Sequence, residues 1–448
     1  MLHDHLPLTL IDPRWYDVAW APGSPLLRSQ FALADADPGW STRVDGPWAV
    51  HEPIGVEVAA AGWKVHVSAL PADAADVVDE VGRQCRRARV AYKHLRSRDL
   101  VHAGQLKYAD PRSSGKVVTC YPSAAQLEPL CATLADVLGN RPAPAIVGEI
   151  QVGTSPIWLR HGAFTGRQRL SDDGRVHQLK TLDGRLVADQ RGARGSVAEP
   201  EFVSAMRRMH TSVASTIDVS EVSLLHRSNA GGVYRATWRG RSVVLKEARR
   251  HAGLDLSSGD ACERLRHEAT VLRRLQGSRV APEVLDLLEL PEAEFLVMED
   301  LGRPAIMSRL STLHPAINPA LDAAAARAYL DWRSLVGARL ADLVATLAAH
   351  GVVHGDLQPA NLIDLDDRLV AIDFESASLD GRRVARGVAA PGFGYEIQGD
   401  RLDDASALPA IAAILGDPTA ATVLPMRPDA AALVTAASDA ALTALARG

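Results

Sequence analysis

The chain has 448 residues, enough for two or three domains with substantial buried cores. Hydrophobic residues make up 47% and charged residues 23%, as in ordinary globular protein, and the net charge of −5 gives no electrostatic case for nucleic acid or an anionic membrane as partner. No apolar run is long enough to cross a bilayer, and the N-terminal MLHDHLPLTLIDPRW lacks the basic and apolar stretches of a secretion signal, which predicts a cytoplasmic protein. Cys85, Cys120, Cys131 and Cys262 are scattered without a CxxC pair, so they read as free thiols and not as zinc ligands.

In chain order, Trp63-Lys64-Val65-His66-Val67-Ser68 alternates apolar and polar residues as a half-buried strand does. The stretch from Ala72 to Leu95 reads as a helix with a basic C-terminal portion. Val117-Val118-Thr119 and Pro156-Ile157-Trp158-Leu159 read as further strands, and Asp173-Gly174 and Asp183-Gly184 as hairpin turns. These elements predict an α+β domain over residues 1–200, followed by a linker at 201–217; Arg191-Gly192-Ala193-Arg194-Gly195-Ser196 and a polar helical stretch mark the division near 190–217. From Val219 to Lys246 come two or three strands around the turn Ser228-Asn229-Ala230-Gly231-Gly232. Ala261 to Leu275 is an amphipathic helix, Glu294 to Met298 a strand, and Ala320 to His350 helical. That order predicts a small β-rich lobe at 218–300 and a shortened helical lobe at 301–448, whose Ala-rich end from Asp404 forms two or three short helices. The fold class is therefore α+β in two parts.

The most specific motif is His354-Gly355-Asp356-Leu357-Gln358-Pro359-Ala360-Asn361, followed by Ile372-Asp373-Phe374-Glu375. An Asp, an Asn shortly after it and a second Asp one hairpin later form the phosphoryl-transfer constellation of kinase-like enzymes. Asp356 would take the proton of the attacking hydroxyl, while Asn361 and Asp373 would hold Mg²⁺ against the phosphates of ATP or GTP. Lys246 alternates out of a strand toward the α- and β-phosphates, with Glu268 as the partner that orients it. Gly231 and Gly232 make either a phosphate loop or a plain hairpin, and Glu299 opens the hinge on the nucleotide side. Gly355 stands where protein kinases carry Arg, which argues against control by activation-loop phosphorylation. Glu375 makes Asp-Phe-Glu, which resembles the aminoglycoside and choline phosphotransferase branch; it supports a second metal or makes a structural salt bridge.

The N-terminal part carries its own chemistry. Lys64 and His66 are two apart on a strand and share a face. Tyr92-Lys93-His94, Lys107, Arg112, Lys116, Tyr121, Arg160 and Arg167 follow near turns and strands, an arrangement suited to converging on one anion. Such a set permits elimination of phosphate. Arg and Lys clamp the dianion, a lysine crowded by cations serves as base, and a histidine protonates the leaving oxygen.

The runs GWKVHVS, AYKHL, LKYADPRSSGKVVTCYP and SPIWLRHGAF resemble the N-terminal lyase domain of class III and IV lanthipeptide synthetases, itself similar to bacterial effector phosphothreonine lyases. The order of a lyase-like and then a kinase-like domain is also that family's, and the likeness covers roughly residues 55 to 390. The resemblance implies His66 as general acid and Lys93 as general base, with Lys64, Arg112, Lys116, Arg160 and Arg167 binding phosphate. It implies a bifunctional dehydratase whose substrate is a ribosomal precursor peptide with a leader segment. Full-length members continue into a cyclase domain, and no Cys-His-Gly motif occurs here. A separate cyclase or a cysteine decarboxylase is therefore an expected partner. Two other readings stay open: a small-molecule phosphotransferase with an accessory N-terminal domain, and a non-catalytic peptide-binding scaffold.

Overall fold

The computed structural model describes residues 23–32, 37–164, 167–170, 176–182, 185–188, 199–213, 216–255, 259–314, 317–318, 322–382, 404–423 and 428–447. Two sheet-centred units follow one another, each with its own core, as the α+β expectation requires.

The N-terminal unit is built on a seven-stranded antiparallel sheet. Its strands are β1 (Trp40–Asp45), β2 (Trp48–Pro53), β3 (Ala61–Val67), β4 (Ala91–Leu95), β5 (Val118–Tyr121), β6 (Ile150–Gln151) and β7 (Ile157–Ala163), in the order β1-β2-β4-β5-β3-β7-β6. Two helices cover one face. In α1 (Ala74–Arg87) the buried residues Val77, Val78, Val81 and Cys85 recur at helical spacing. In α3 (Ala124–Leu138), which follows the short α2 (Arg98–Ala103), Leu127, Leu130, Cys131, Leu134 and Leu138 do the same. These side chains close on Val65, Val67, Val118, Cys120 and Leu159 from the alternate positions of the strands. The opposite face of β3, β4, β5 and β7 carries the polar alternates.

Three differences from the sequence reading matter. The helix expected over Ala72–Leu95 ends at Arg87, and Ala91–Leu95 is a strand between β2 and β5. Arg89 takes a left-handed φ of 52° there and reverses the chain, after which Tyr92 and His94 face the core while Lys93 faces away. The helical stretch expected within the linker at 201–217 is α4 (Glu201–Val213), but it buries Val203 in the N-terminal core and so belongs to that unit. Asp173-Gly174 and Asp183-Gly184 lie outside the described residues; the strands beside them, β8 (Arg167–Leu170), β9 (Val176–Leu182) and β10 (Arg185–Ala188), pair antiparallel.

The second unit has two lobes. Strands β11 (Ser220–Arg227), β12 (Gly232–Trp238), β13 (Arg241–Arg249), β14 (Val284–Glu289) and β15 (Ala293–Glu299) form an antiparallel sheet in the order β11-β12-β13-β15-β14. Helix α5 (Ala261–Arg274) packs on it and is capped by Asp260, whose side chain accepts from the Glu263 amide. The helical lobe holds α6 (Ile306–Leu313), α7 (Ala323–Ala349), α8 (Ala407–Gly416), α9 (Ala420–Val423) and α10 (Pro428–Arg447). Between α7 and α8 come the short β16 (Val352–Val353) and then the hairpin β17 (Leu362–Asp364) and β18 (Leu369–Ala371), which spans the gap separating Asn361 from Asp373. The expected element types hold throughout this unit, because each is long and strongly periodic. Among the described residues no helix is long and apolar enough to cross a membrane, and all four cysteines are buried and free.

Leu134 is fully buried between α3 and the sheet. Leu134→Ala is expected to destabilise the N-terminal unit by about 2–5 kcal/mol, read as a lower urea midpoint by tryptophan fluorescence.

Candidate functional site

Two sites follow from these folds. The first lies on the polar face of the N-terminal sheet. Strand register places Lys93 opposite Thr119 and Thr119 opposite His66, so all three stand on one face in a single row. Lys93 and His66 are thus two strand spacings apart, about 10 Å between backbones, with the small Thr119 between them. Lys64 lies two residues from His66 on the same face and opposite Arg160 of β7. The Lys64 ammonium sits 5.8 Å from the Tyr121 ring centre, and that of Lys93 4.2 Å over the ring of Trp48.

His66 is 4% exposed, and its Nδ1 lies 2.6 Å from Oε2 of buried Glu149. The other Glu149 oxygen meets the Lys116 ammonium at 2.7 Å. Burial pushes the His66 imidazole down to about 4, although Glu149 pulls the other way. Burial would raise the Glu149 carboxyl, but His66 and Lys116 outweigh it and hold Glu149 well below the usual carboxylate range. With Nδ1 committed to Glu149, Nε2 is the nitrogen left for chemistry at the sheet face.

The structure sorts the expected basic residues. Lys64, Lys93, His66 and Arg160 share the sheet face. Lys116 reaches Glu149 and also donates to the Arg112 carbonyl at 2.9 Å. Arg112 is exposed on the preceding loop, paired with Asp110 at 2.9 Å. The backbone of Arg167 pairs with Leu179, and its side chain lies outside the described residues. Lys107 goes elsewhere, into the cleft of the second unit. Glu149 escaped the sequence reading because a single Glu in Val147-Gly148-Glu149-Ile150 carries no spacing signal.

The second site is a cleft of about 850 Å³ between the sheet and the helical lobe, a size suited to a small ligand. Gly231, Gly232, Lys246, Glu268, Glu299, Asp356, Asn361 and Asp373, the residues singled out in this half, all line it. Lys246 contacts Glu268 at 2.7 Å and also pairs with Asp373. Burial opposes the charge of Lys246, but Asp373 and Glu268 outweigh it and keep the ammonium charged far above its usual range. Against the same burial, Lys246 and Lys107 hold Asp373 low. Gly231 has a φ of 153°, and a Cβ there would fall 2.2 Å from the Glu247 carbonyl oxygen, so the turn requires glycine.

Ile372 N–H donates to the Asn361 carbonyl at 2.9 Å, closing the hairpin and bringing Asn361 beside Asp373. Asn361 Nδ2 donates to the Asp356 carbonyl at 2.9 Å and to Asp356 Oδ2 at 3.2 Å. The Asn361 amide oxygen and the Asp373 carboxylate are hard oxygen donors of the kind a divalent cation selects. Asp404 is a residue the sequence reading missed. Its carboxylate accepts from the amides of His354 at 2.8 Å and Gly355 at 3.1 Å, from a place 6% exposed. Gly355 holds φ at 78°, which suits glycine in the place of the expected Arg. Glu375 pairs with Lys107 and lies 3.5 Å from Arg264 Nε, the salt-bridged alternative among the two readings of that residue.

Comparison with known proteins agrees with this two-part layout. Residues 28–215 match the family described as "RamC, N-terminal domain". Over 396 residues, 85% of the chain, it is 37% identical to the "Probable SapB synthase" of Streptomyces coelicolor. Over most of its own length the chain is therefore similar to a lanthipeptide synthetase. It spans about 43% of the length of that relative.

His51 and His66 are both pushed to about 4 by burial, below their ordinary 6.5. Between these values the unfolded chain takes up protons that the folded imidazoles refuse, so stability falls as pH drops from 6.5 toward 4. Each imidazole contributes a slope of at most about 1.4 kcal/mol per pH unit. His66→Gln is expected to flatten the decline in melting temperature measured between pH 7 and pH 4.5; an unchanged profile would contradict the assignment.

Proposed function

We propose that the chain is a bifunctional Ser/Thr dehydratase acting on a ribosomally made lanthipeptide precursor. The second unit phosphorylates a Ser or Thr hydroxyl, and the N-terminal unit eliminates the phosphate to leave dehydroalanine or dehydrobutyrine. The observation that carries this reading is the single row Lys93-Thr119-His66, which sets a lysine amine and a buried imidazole on one face in a chain that also holds Lys246, Asp356, Asn361 and Asp373 in one cleft.

In the cleft, Asp356 accepts the proton of the acceptor hydroxyl as its oxygen forms the new bond to phosphorus. The bond from the terminal phosphorus to the nucleoside diphosphate oxygen breaks, and the diphosphate leaves. ATP or GTP would supply the phosphoryl group; Asn361 and Asp373 would hold Mg²⁺, which would neutralise the phosphate charge, and Lys246, steadied by Glu268, would contact the phosphates. Glu299 begins the hinge segment beside the base, and Gly231 and Gly232 let the backbone approach the phosphates.

On the sheet face, Lys64 and Arg160 hold the phosphate dianion, joined by Arg112 from its loop and Arg167 from the start of β8. The unprotonated Lys93 amine removes the α-proton, the Cβ–O bond breaks, and His66 Nε2 delivers a proton to the departing oxygen. Burial keeps His66 neutral in the unliganded site; the two negative charges of bound phosphate favour its protonated form. Glu149, fixed by Lys116, orients the ring. Covalent linkage of the two units raises the effective concentration of the phosphorylated intermediate at the second step. A leader segment would dock the precursor, and a separate cyclase or cysteine decarboxylase would use the dehydrated product.

Lys93→Ala is expected to leave peptide carrying one added phosphate per site, with dehydration reduced at least about hundredfold, seen by mass spectrometry. Fully dehydrated product from that variant would end the lyase assignment. Asp356→Asn should abolish phosphorylation yet still dehydrate a synthetic phosphopeptide; loss of both steps would contradict separate sites.

A further inference from the structure

The two units meet where the N-terminal chain runs across the glycine turn of the second. Leu254 N–H donates to the Gln105 carbonyl at 2.8 Å, and Lys107 N–H donates to the Leu254 carbonyl at 3.2 Å. Asn229 N–H then donates to the Lys107 carbonyl at 3.1 Å, and Asn229 Nδ2 to the Leu106 carbonyl at 3.0 Å. Asn229 is fully buried and Leu106 is 7% exposed. Buried amide–carbonyl bonds of this kind fix the backbone of residues 105–107 to the root of the turn that ends in Gly231 and Gly232.

That docking has a chemical result. Lys107, a residue of the N-terminal unit, projects into the cleft of the second and pairs with Glu375. Burial opposes its charge, yet Asp373 and Glu375 outweigh it, and the ammonium stays charged far above its usual range. The cleft therefore holds two lysines of different origin. Lys246 rises from the sheet between Glu268 and Asp373, and Lys107 enters across the glycine turn on the Glu375 side. Elimination on the sheet face has no use for Lys107, because its side chain points into the other site.

The geometry points to Lys107 as a nucleotide-phosphate contact contributed by the N-terminal unit, binding the terminal phosphate at the Asp373–Glu375 end of the cleft. The proposal rests on the kinase reading above. When a divalent cation engages Asp373 or Glu375, it competes with Lys107 for the same carboxylate charge. The ammonium then has the negatively charged terminal phosphate as its nearest remaining partner. Lys246, held by Glu268 on the sheet side, remains for the inner phosphates. One docking contact thus completes the phosphoryl-transfer centre, and the kinase step requires the lyase unit to be in place.

The test uses the full chain with Mg²⁺ and two fluorescent nucleotides, an ADP analogue and a non-hydrolysable triphosphate analogue. Lys107→Gln is expected to weaken the triphosphate analogue about tenfold and the diphosphate by less than about twofold. Lys107→Arg should retain tight triphosphate binding, and both variants should still release phosphate from a synthetic phosphopeptide at the parent rate. Unchanged triphosphate affinity in Lys107→Gln overturns the proposal. An equal loss for both nucleotides, or a loss of phosphate release, makes Lys107 a docking residue only and overturns it as well. If the parent chain binds neither nucleotide, the kinase reading falls and takes this proposal with it.

Discussion

One ammonium group ties the second unit together. Lys246 leaves β13 and is shared by Glu268 of α5 and Asp373 of the hairpin end, so sheet, helix and helical lobe meet on a single buried charge. A buried charge left without a partner costs several kcal/mol, which forces these three elements to close as a set. Glu268 then acts twice, because its second oxygen accepts the Phe374 amide at 3.1 Å. The fully buried Phe374 ring packs 4.7 Å from the His354 ring, His354 Nε2 donates to the Ile372 carbonyl, and Asp404 holds the His354 amide. Position passes from a strand to the loop bearing Asp356 through contacts that are buried or partly buried.

The N-terminal site solves a similar problem with a carboxylate at its centre. Glu149 satisfies His66 on one oxygen and Lys116 on the other, in a place where neither an isolated carboxylate nor an isolated ammonium is stable. The sheet then supplies what the pair cannot, a fixed spacing. Rows across an antiparallel sheet keep Lys93, Thr119 and His66 on one face regardless of loop movement.

Much of this layout could be read from residue order. Asp356, Asn361 and Asp373 announce themselves because a short hairpin leaves a fixed gap in sequence, and β17 and β18 fill that gap. Lys64 and His66 were placed on one face by strand period alone. Lys93 was expected at the end of a helix, since Ala72–Leu95 is rich in helix formers; the reversal at Arg89 and the pairing with β2 and β5 overrode that propensity. Glu149 and Asp404 were not legible at all. Each is a lone acid whose meaning comes from partners 83 and 50 residues away. Lys107 was grouped with the wrong anion site, because proximity in sequence to Arg112 and Lys116 says nothing of the side of the loop on which each side chain emerges.

The buried amide of Asn229 limits how this protein can be divided. Its side-chain donor is satisfied by the Leu106 carbonyl of the other unit, and the Arg249 guanidinium likewise reaches across to the Ala145 carbonyl. A cut made between the units would uncover both donors and strip Glu375 of its lysine, leaving it beside Arg264 at 3.5 Å. Modules that recombine freely meet through solvated, replaceable surfaces. These two have exchanged backbone hydrogen bonds at the edge of the cleft, so the seam behaves as the interior of one protein.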